Sequence, residues 1–312
     1  MFATVLGRLP RPTDERVPDD PGERRAADDE AVRRLLAAQQ AAGIGLLADG
    51  GLRPALDLSG AEPVAVADWR FAAEAVDGGV AVKAVLPGPL TLARAAAGAD
   101  VGREAARLGE RLRLEIDALA DAGCPLVEVE EPAVVELGES EAGRDAFADA
   151  HRRLARDAPV HVALALGSGN VPPDAYGVVL DAPYASYAVD LVAGPDNWRL
   201  VVDVPQDRGV VCGALRAVQG SDDGPELLVW AAHYAASTRR RGIDRVGLAN
   251  APGLESLPWE VVRRKLERLA EAARIAALPR QGGQLRAALD PRATDLKSRA
   301  MGRHVKRTSS SD

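Results

Sequence analysis

Gly123-Cys124-Pro125-Leu126-Val127-Glu128-Val129-Glu130-Glu131-Pro132 decides the fold of this chain. Aliphatic residues recur at period two from Leu126, which reads as a strand covered by neighbouring elements. Pro132 stops it, because proline cannot donate to a sheet ladder. Two adjacent carboxylates, Glu130 and Glu131, stand at the strand's C-terminal tip. Buried carboxylates cost free energy unless something binds them, and the C-terminal ends of the strands are where a (β/α)8 barrel keeps its ligands. The alternative is an acidic loop solvated at a strand end.

Strand-like and helix-like segments alternate on both sides of this stretch. Ala3–Gly7 reads as a first strand, followed by a charged, proline-rich loop from Arg8 to about Asp28. Glu30–Ala42 reads as a helix, then Gly45–Asp49 and Val80–Leu86 as strands, the latter ending in Pro87-Gly88-Pro89. Leu108, Leu112, Ile116 and Leu119 share one helical face and deliver the chain to Leu126–Glu130. Val160–Leu166, Ser186–Val192, Val210–Gly213 and Asp244–Ala249 follow as strands. Helices are expected over Glu226–Arg240 and over Pro258–Leu278, where Pro258 suits a first turn.

Strands separated by helices imply parallel pairing with right-handed crossovers. Eight of them over some 250 residues fit an α/β fold of the (β/α)8 TIM-barrel kind. A doubly wound open sheet usually shows a glycine-rich phosphate turn after its first strand, and Leu6-Gly7-Arg8-Leu9-Pro10 is not one. The expected organisation is a single barrel over 1–289 and a polar, disordered tail over 290–312. That tail carries Lys297, Arg299, Arg303, Lys306 and Arg307 before Thr308-Ser309-Ser310-Ser311.

Composition narrows the partners. A formal net charge of −7 argues against a general nucleic-acid binder, since such affinity rests on phosphate neutralisation. No apolar run approaches the ~20 residues of a membrane span. Strand-like residues begin at Phe2, so no leader is expected. Cys124 and Cys212 are too few for a disulfide framework. The expectation is a cytoplasmic protein with a small-molecule substrate, no nucleic-acid or membrane partner, and no cofactor.

The familiar chemical motifs are missing. There is no GxxxxGK[ST] loop, no CxxC pair and no HExxH. Gly167-Ser168-Gly169 lacks the first glycine of a nucleophile elbow, whose place is held by Leu166. His151 and His233 read as surface residues of helices, and His304 lies in the tail. His161 alone falls within a strand, with the inward parity of Ala163 and Ala165. It is read either as a core histidine or, with Glu130, as an acid–base pair.

These segments resemble the C-terminal catalytic barrel of cobalamin-independent methionine synthase, in the superfamily that includes uroporphyrinogen decarboxylase. Leu6-Gly7-Arg8-Leu9-Pro10-Arg11 is similar to the family's Ile-Gly-Ser-Phe-Pro-Arg, and Ala48-Asp49-Gly50-Gly51 to its Asp-Gly-Glu turn. Leu86-Pro87-Gly88-Pro89-Leu90-Thr91 resembles Leu-Thr-Gly-Pro-Val-Thr. Glu128-Val129-Glu130-Glu131-Pro132-Ala133 resembles Gln-Ile-Asp-Glu-Pro-Ala. Val160–Asn170 aligns without gaps to Ile-His-Thr-His-Met-Cys-Tyr-Ser-Glu-Phe-Asn.

The resemblance implies a barrel in which zinc activates a homocysteine thiol toward a folate methyl group. The zinc-ligand positions, however, fall on Ala163, Ala165 and Pro252, with the remaining glutamate near Asp190. Arg8 replaces the serine after the first strand, Gly51 the glutamate associated with the homocysteine amine, and Ala95 the tryptophan associated with the folate. No zinc is expected there, although His161, Asp190 and Cys212 form a conceivable mixed ligand set. The expected catalytic residues are His161, Glu130 and Glu131, and the expected substrate-binding residues are Gly7, Arg8, Asp49, Asp190 and Asn170.

Three functions follow from this pattern. One is a divergent, zinc-free methyltransferase-type enzyme acting on a small anionic metabolite. Another is a metal-independent decarboxylase or lyase of the same superfamily. The last is a non-catalytic descendant that binds a metabolite or a partner. Asp190–Trp198 is suited to shaping a pocket, or Trp198 packs under the next helix.

Overall fold

The computed structural model describes residues 1–12, 17–96, 100–138, 140–220 and 224–278. The chain divides into Met1–Ala276 and Ala277–Asp312, and of the second unit only Ala277 and Leu278 are described. The polar tail expected over 290–312 lies outside the described residues.

Among the described residues of the first unit, nine strand segments and nine α-helices follow one another. The strands are β1 (Phe2–Ala3), β2 (Leu46–Leu47), β3 (Ala81–Val82), β4 (Ala84–Pro87), β5 (Leu126–Glu130), β6 (His161–Ala165), β7 (Ser186–Asp190), β8 (Gly209–Leu215) and β9 (Val246–Asn250). The helices are α1 (Pro21–Ala42), α2 (Ala65–Glu74), α3 (Pro89–Ala95), α4 (Val101–Asp121) and α5 (Glu141–Ala155). They continue with α6 (Tyr176–Asp181), α7 (Asn197–Asp203), α8 (Pro225–Ser237) and α9 (Trp259–Ala276).

Seven strands form one parallel sheet in the order β1-β9-β8-β7-β6-β5-β4. β2 and β3 pair in parallel and close the ring. Thr4 bridges Leu46, Gly45 N–H donates to the Ala3 carbonyl (3.1 Å), and Lys83 N–H donates to Leu47 O (2.9 Å). β3 and β4, separated only by Lys83, act as one stave, so eight staves enclose the barrel, as the alternating pattern predicts. β1 is short because Asn250 takes over its pairing: Leu6 N–H donates to Asn250 Oδ1 (3.1 Å), and Asn250 Nδ2 donates to Leu6 O (2.8 Å).

Local chemistry sets the helix boundaries. α1 starts at Pro21, within the stretch expected to be loop, because Asp20 caps it by accepting from Glu23 N–H (2.9 Å) and Pro21 suits the first turn. α4 buries Leu108, Leu112, Ile116 and Leu119 on one face, as its spacing predicts. α2 has no side-chain cap of its own. Glu115 of α4 supplies one, accepting from Val64 N–H (3.0 Å) and Ala65 N–H (2.9 Å), and Arg111 Nη2 holds that carboxylate at 2.9 Å.

The lumen is lined by small side chains. Ala165, Ala188, Val211 and Ala249 meet Leu6 in one cluster, against which Phe2 packs. Barrels of this kind usually fill their interior with layers of bulky branched residues. Alanines and glycines leave room instead, and a cavity of about 980 Å³ opens at the N-terminal end. Among the described residues no helix is long and apolar enough to cross a membrane.

Candidate active site

Inward-facing positions of the first strands converge at the C-terminal end of the barrel. A cleft of about 410 Å³ is lined there by Arg8, Asp49, Arg53, Trp69, Lys83 and Glu130 among others. Gly7 follows β1 with φ +70°, which only glycine adopts without strain, and donates its N–H to Glu130 Oε1 at 3.2 Å. Arg8 is exposed at the mouth and donates Nη2 to Gly51 O at 2.9 Å. Asp49 Oδ1 accepts from Gly51 N–H at 3.0 Å.

Desolvation dominates the charges in this cleft. Burial pushes the Glu130 carboxyl above its usual range, and the nearby Glu128 adds to the rise, while Lys83 and the Gly7 N–H oppose it. Burial likewise raises the Asp49 carboxyl, against the pull of the Gly51 N–H, Arg53 and Lys83. Both acids therefore hold a proton more readily than a solvated carboxylate does.

Two cations of the cleft escaped the sequence reading. Lys83, on the inward side between β3 and β4, is buried and donates Nζ to Val5 O (2.7 Å) and Glu128 Oε1 (2.6 Å). A lysine inside an apolar strand was the available signal. Arg53 lies in the loop after β2, where the sequence gives none. Its side chain is 4% exposed, ion-paired through Nη1 to Asp29 (2.6 Å) and Asp68 (3.5 Å), and its guanidinium lies over the Phe71 ring. Its Nε and Nη2 are buried without a hydrogen-bond partner.

Glu131 is adjacent to Glu130 but turned away from the cleft. Its side chain is fully buried and accepts from Leu90 N–H (2.9 Å), Thr91 N–H (2.7 Å), the Thr91 hydroxyl and His151 Nε2 (3.0 Å). It clasps the N-terminus of α3, where a carboxylate complements the free N–H groups and the helix dipole. A Cβ on Gly88 would lie 2.4 Å from this carboxylate, so glycine is required there. This corrects the expectation of a catalytic Glu131, since its acceptor capacity is spent on the fold.

His151 corrects another expectation. It is buried rather than superficial, stacks on Phe147, and sits between Glu131 and the Tyr184 hydroxyl (2.5 Å from Nδ1). Burial pushes the Tyr184 phenol well up, so it keeps its proton to donate. The burial of Phe147, Ala150, His151 and Leu154 traces one face of α5, a spacing that could have shown it. His233 is also buried.

His161 has the expected inward parity but stands at the wrong end. It is the first residue of β6 and pairs in register with Leu126, whereas Glu130 pairs with Ala165. Four residues of strand put it about 13 Å from the level of Glu130. Its Nε2 lies 2.8 Å from Ser186 Oγ, so no acid–base pair with Glu130 forms.

Asp190 and Asn170 brace loops instead of facing the cleft. Asp190 Oδ2 accepts from Ser168 Oγ (3.0 Å) and Gly169 N–H (3.1 Å), and Oδ1 from Val192 N–H (2.9 Å) and Ala193 N–H (3.1 Å). Asn170 Oδ1 accepts from Asp196 N–H (2.9 Å). Both were expected to bind substrate, and the correction is that neighbouring backbone already occupies them. Trp198 packs edge-on against Trp230 and Tyr234 of α8.

The resemblance implied a zinc ion, and the residues at the corresponding positions do not fit one. Ala163, Ala165 and Pro252 have no side-chain donor, and Asp190 is fully engaged. The mixed set is not assembled either. Cys212 points its thiol at Ala231 O of α8 (3.9 Å), burial raises it to about 12, and His161 is at the far mouth. Among the described residues no cluster of three His, Cys, Asp or Glu side chains could hold a metal ion.

Fold and cleft define a TIM-barrel protein with a charged C-terminal mouth. The chain belongs to the cobalamin-independent synthase family: the model of that family's N-terminal domain matches residues 64–221. The motif resemblance was drawn to the C-terminal barrel of the same family. No match is found among curated proteins.

Solved structures share the fold at low identity. A B12-independent methionine synthase from Shewanella sp. W3-18-1, in complex with selenomethionine, superposes with a TM-score of 0.72 at 17% identity, covering 88% of this chain and 97% of that one. A Listeria monocytogenes protein assigned the same activity gives 0.71 at 16%, covering 89% and 98%. A methyltransferase from Methanosarcina mazei gives 0.59 at 14%, covering 88% and 94%.

Proposed function

We propose that this protein is a zinc-free, methyltransferase-type enzyme acting on a small anionic metabolite bound in the C-terminal cleft. The observation behind this reading is Arg53, a buried guanidinium with two nitrogens lacking hydrogen-bond partners, in a cleft it shares with two acids whose carboxyls burial raises. A desolvated guanidinium matches the two oxygens of a carboxylate in a planar fork. Arg8 at the mouth adds a second positive charge and steers an anion inward.

Glu130 is the proton acceptor of this proposal. Its raised carboxyl suits proton exchange nearer neutral pH than an ordinary glutamate. An acceptor X–H gives its proton to Glu130 while X bonds to the methyl carbon, and the donor keeps the electron pair of the bond that breaks. Asp49 orients the acceptor. The Shewanella protein of the same fold holds selenomethionine, an amino acid that carries both a methyl group and a carboxylate. The two buried free thiols support a reducing, cytoplasmic setting.

Transfer of labelled methyl from methyltetrahydrofolate to thiol- and amine-bearing carboxylates, run with a chelator, tests this reading. Transfer by the wild type that persists with chelator and fails in Arg53→Gln and Glu130→Gln is expected. Transfer only with added zinc, or unchanged in both variants, overturns it. A carboxylate substrate that loses CO₂ without methyl transfer would assign the cleft to lyase chemistry.

A further inference from the structure

The cavity at the N-terminal mouth lies at the opposite end of the barrel from the cleft. Its walls are Phe2, Leu46, Leu126, Ala163 and Val211, and Glu128 stands among its lining residues. A volume of about 980 Å³ is in the range of small-molecule sites. Small side chains at Ala163 and Ser186 leave it open, whereas Gly209 and Gly247 are already covered by Ser186 and the Phe2 ring.

Glu128 makes the cavity more than a packing void. It is 2% exposed, yet its hydrogen bonding among the described residues runs through Oε1 alone, to Lys83 Nζ. Lys83 lines the upper cleft and Glu128 the lower cavity, so this ion pair is the partition between them. Oε2 is left as an acceptor on the lower side. Lys83 acts on three carboxylates, Glu128, Glu130 and Asp49, of which Asp49 also feels Arg53. Glu128 in turn adds to the burden on Glu130.

The rim carries both signs of charge, with exposed Arg245 beside Arg208. Arg208 spends Nη1 on the carbonyls of Leu180 and Ala182 and on the Tyr187 hydroxyl. Asp157, Asp207 and Asp244 are also at this mouth. His161, hydrogen-bonded to Ser186, stands about 7 Å below the level of Glu128. Partial burial lowers the His161 imidazole, so it contributes an uncharged polar group.

We propose that the N-terminal cavity is a second binding site, for a compact apolar cation such as an arylamidine or arylamine. The cationic head would donate to Glu128 Oε2, and the apolar body would lie against Phe2, Leu126 and Val211. This site is independent of the function proposed for the upper cleft.

Benzamidine is the probe, titrated calorimetrically into the intact protein, with benzoate as the like-sized anion. Benzamidine should bind the wild type and lose at least about tenfold in affinity in Glu128→Gln and in Ala163→Leu. The second variant crowds the part of the cavity beside Glu128, with which Ala163 pairs in register, and removes neither member of the Lys83–Glu128 pair, so it decides the matter if Glu128→Gln misfolds. Glu130→Gln should leave a single strong site. Absence of benzamidine binding, equal binding of benzoate, or a loss in Glu130→Gln with none in Ala163→Leu would overturn the proposal.

Discussion

Two sectors of the C-terminal face use polar residues in opposite ways. Around β6 and β7, every group expected to act is already engaged: Asp190 accepts four hydrogen bonds, and Asn197 ties Gly169 O, Asp190 O and Val171 N–H together. Around β1, β2 and β4, Arg53 keeps two unpartnered nitrogens, and Glu130 and Asp49 are acids raised by burial. Buried polar groups are normally satisfied by protein, water or ligand, and the function proposed above assigns the two Arg53 nitrogens to a ligand. Glu130 and Glu131 state the contrast in two residues, one poised in the cleft and one consumed by α3.

The largest effect should come from the buried pair that partitions the barrel. Lys83→Met alone leaves Glu128 without its cation and should cost about 3–5 kcal/mol in urea unfolding, with much of it recovered by adding Glu128→Leu. Equal destabilisation in the double variant would contradict this. Next is the comparison of the adjacent glutamates. Glu131→Ala orphans the α3 N–H groups and His151 and should cost about 2–4 kcal/mol. Glu130→Gln should be neutral or stabilising, and similar losses in both would erase the distinction.

Arg53→Gln should weaken binding of a carboxylate ligand by about tenfold or more, and should also cost stability, because it breaks the pairs to Asp29 and Asp68 and the stacking on Phe71. Asp190→Asn should cost stability and leave carboxylate binding unchanged. The smallest effect is on pH dependence. A folded-state pKa raised above the unfolded one means that Glu130 and Asp49 contribute stability below the ordinary carboxylate range, which is lost as pH rises through their folded values. Glu130→Gln should therefore gain on the wild type as pH rises above the ordinary carboxylate range in parallel unfolding titrations. A gain toward acid instead would reverse the assigned direction.

The barrel was legible because periodicity is local. Leu126–Glu130 was read residue for residue, and each later strand was found within a few residues of its observed ends. Features depending on distant partners were hidden. α2 is capped by Glu115, 50 residues away, and β1 is completed by Asn250, 244 residues away. In the cleft, Gly7, Arg8, Asp49 and Glu130 were legible as strand-end residues. Arg53 was not, since neither its pairing to Asp29 nor its stacking on Phe71 leaves a pattern in the loop sequence. His161 shows the limit of parity, which fixes the face of a strand and not the end of the barrel.

Calorimetric titration of L-homocysteine, a thiol carboxylate, into wild type and Arg53→Gln in the presence of a chelator tests the central claim most directly. A zinc-free anion site built on Arg53 predicts saturable binding by the wild type that persists with chelator and is lost in the variant. Binding that requires zinc, or that survives Arg53→Gln unchanged, would contradict it.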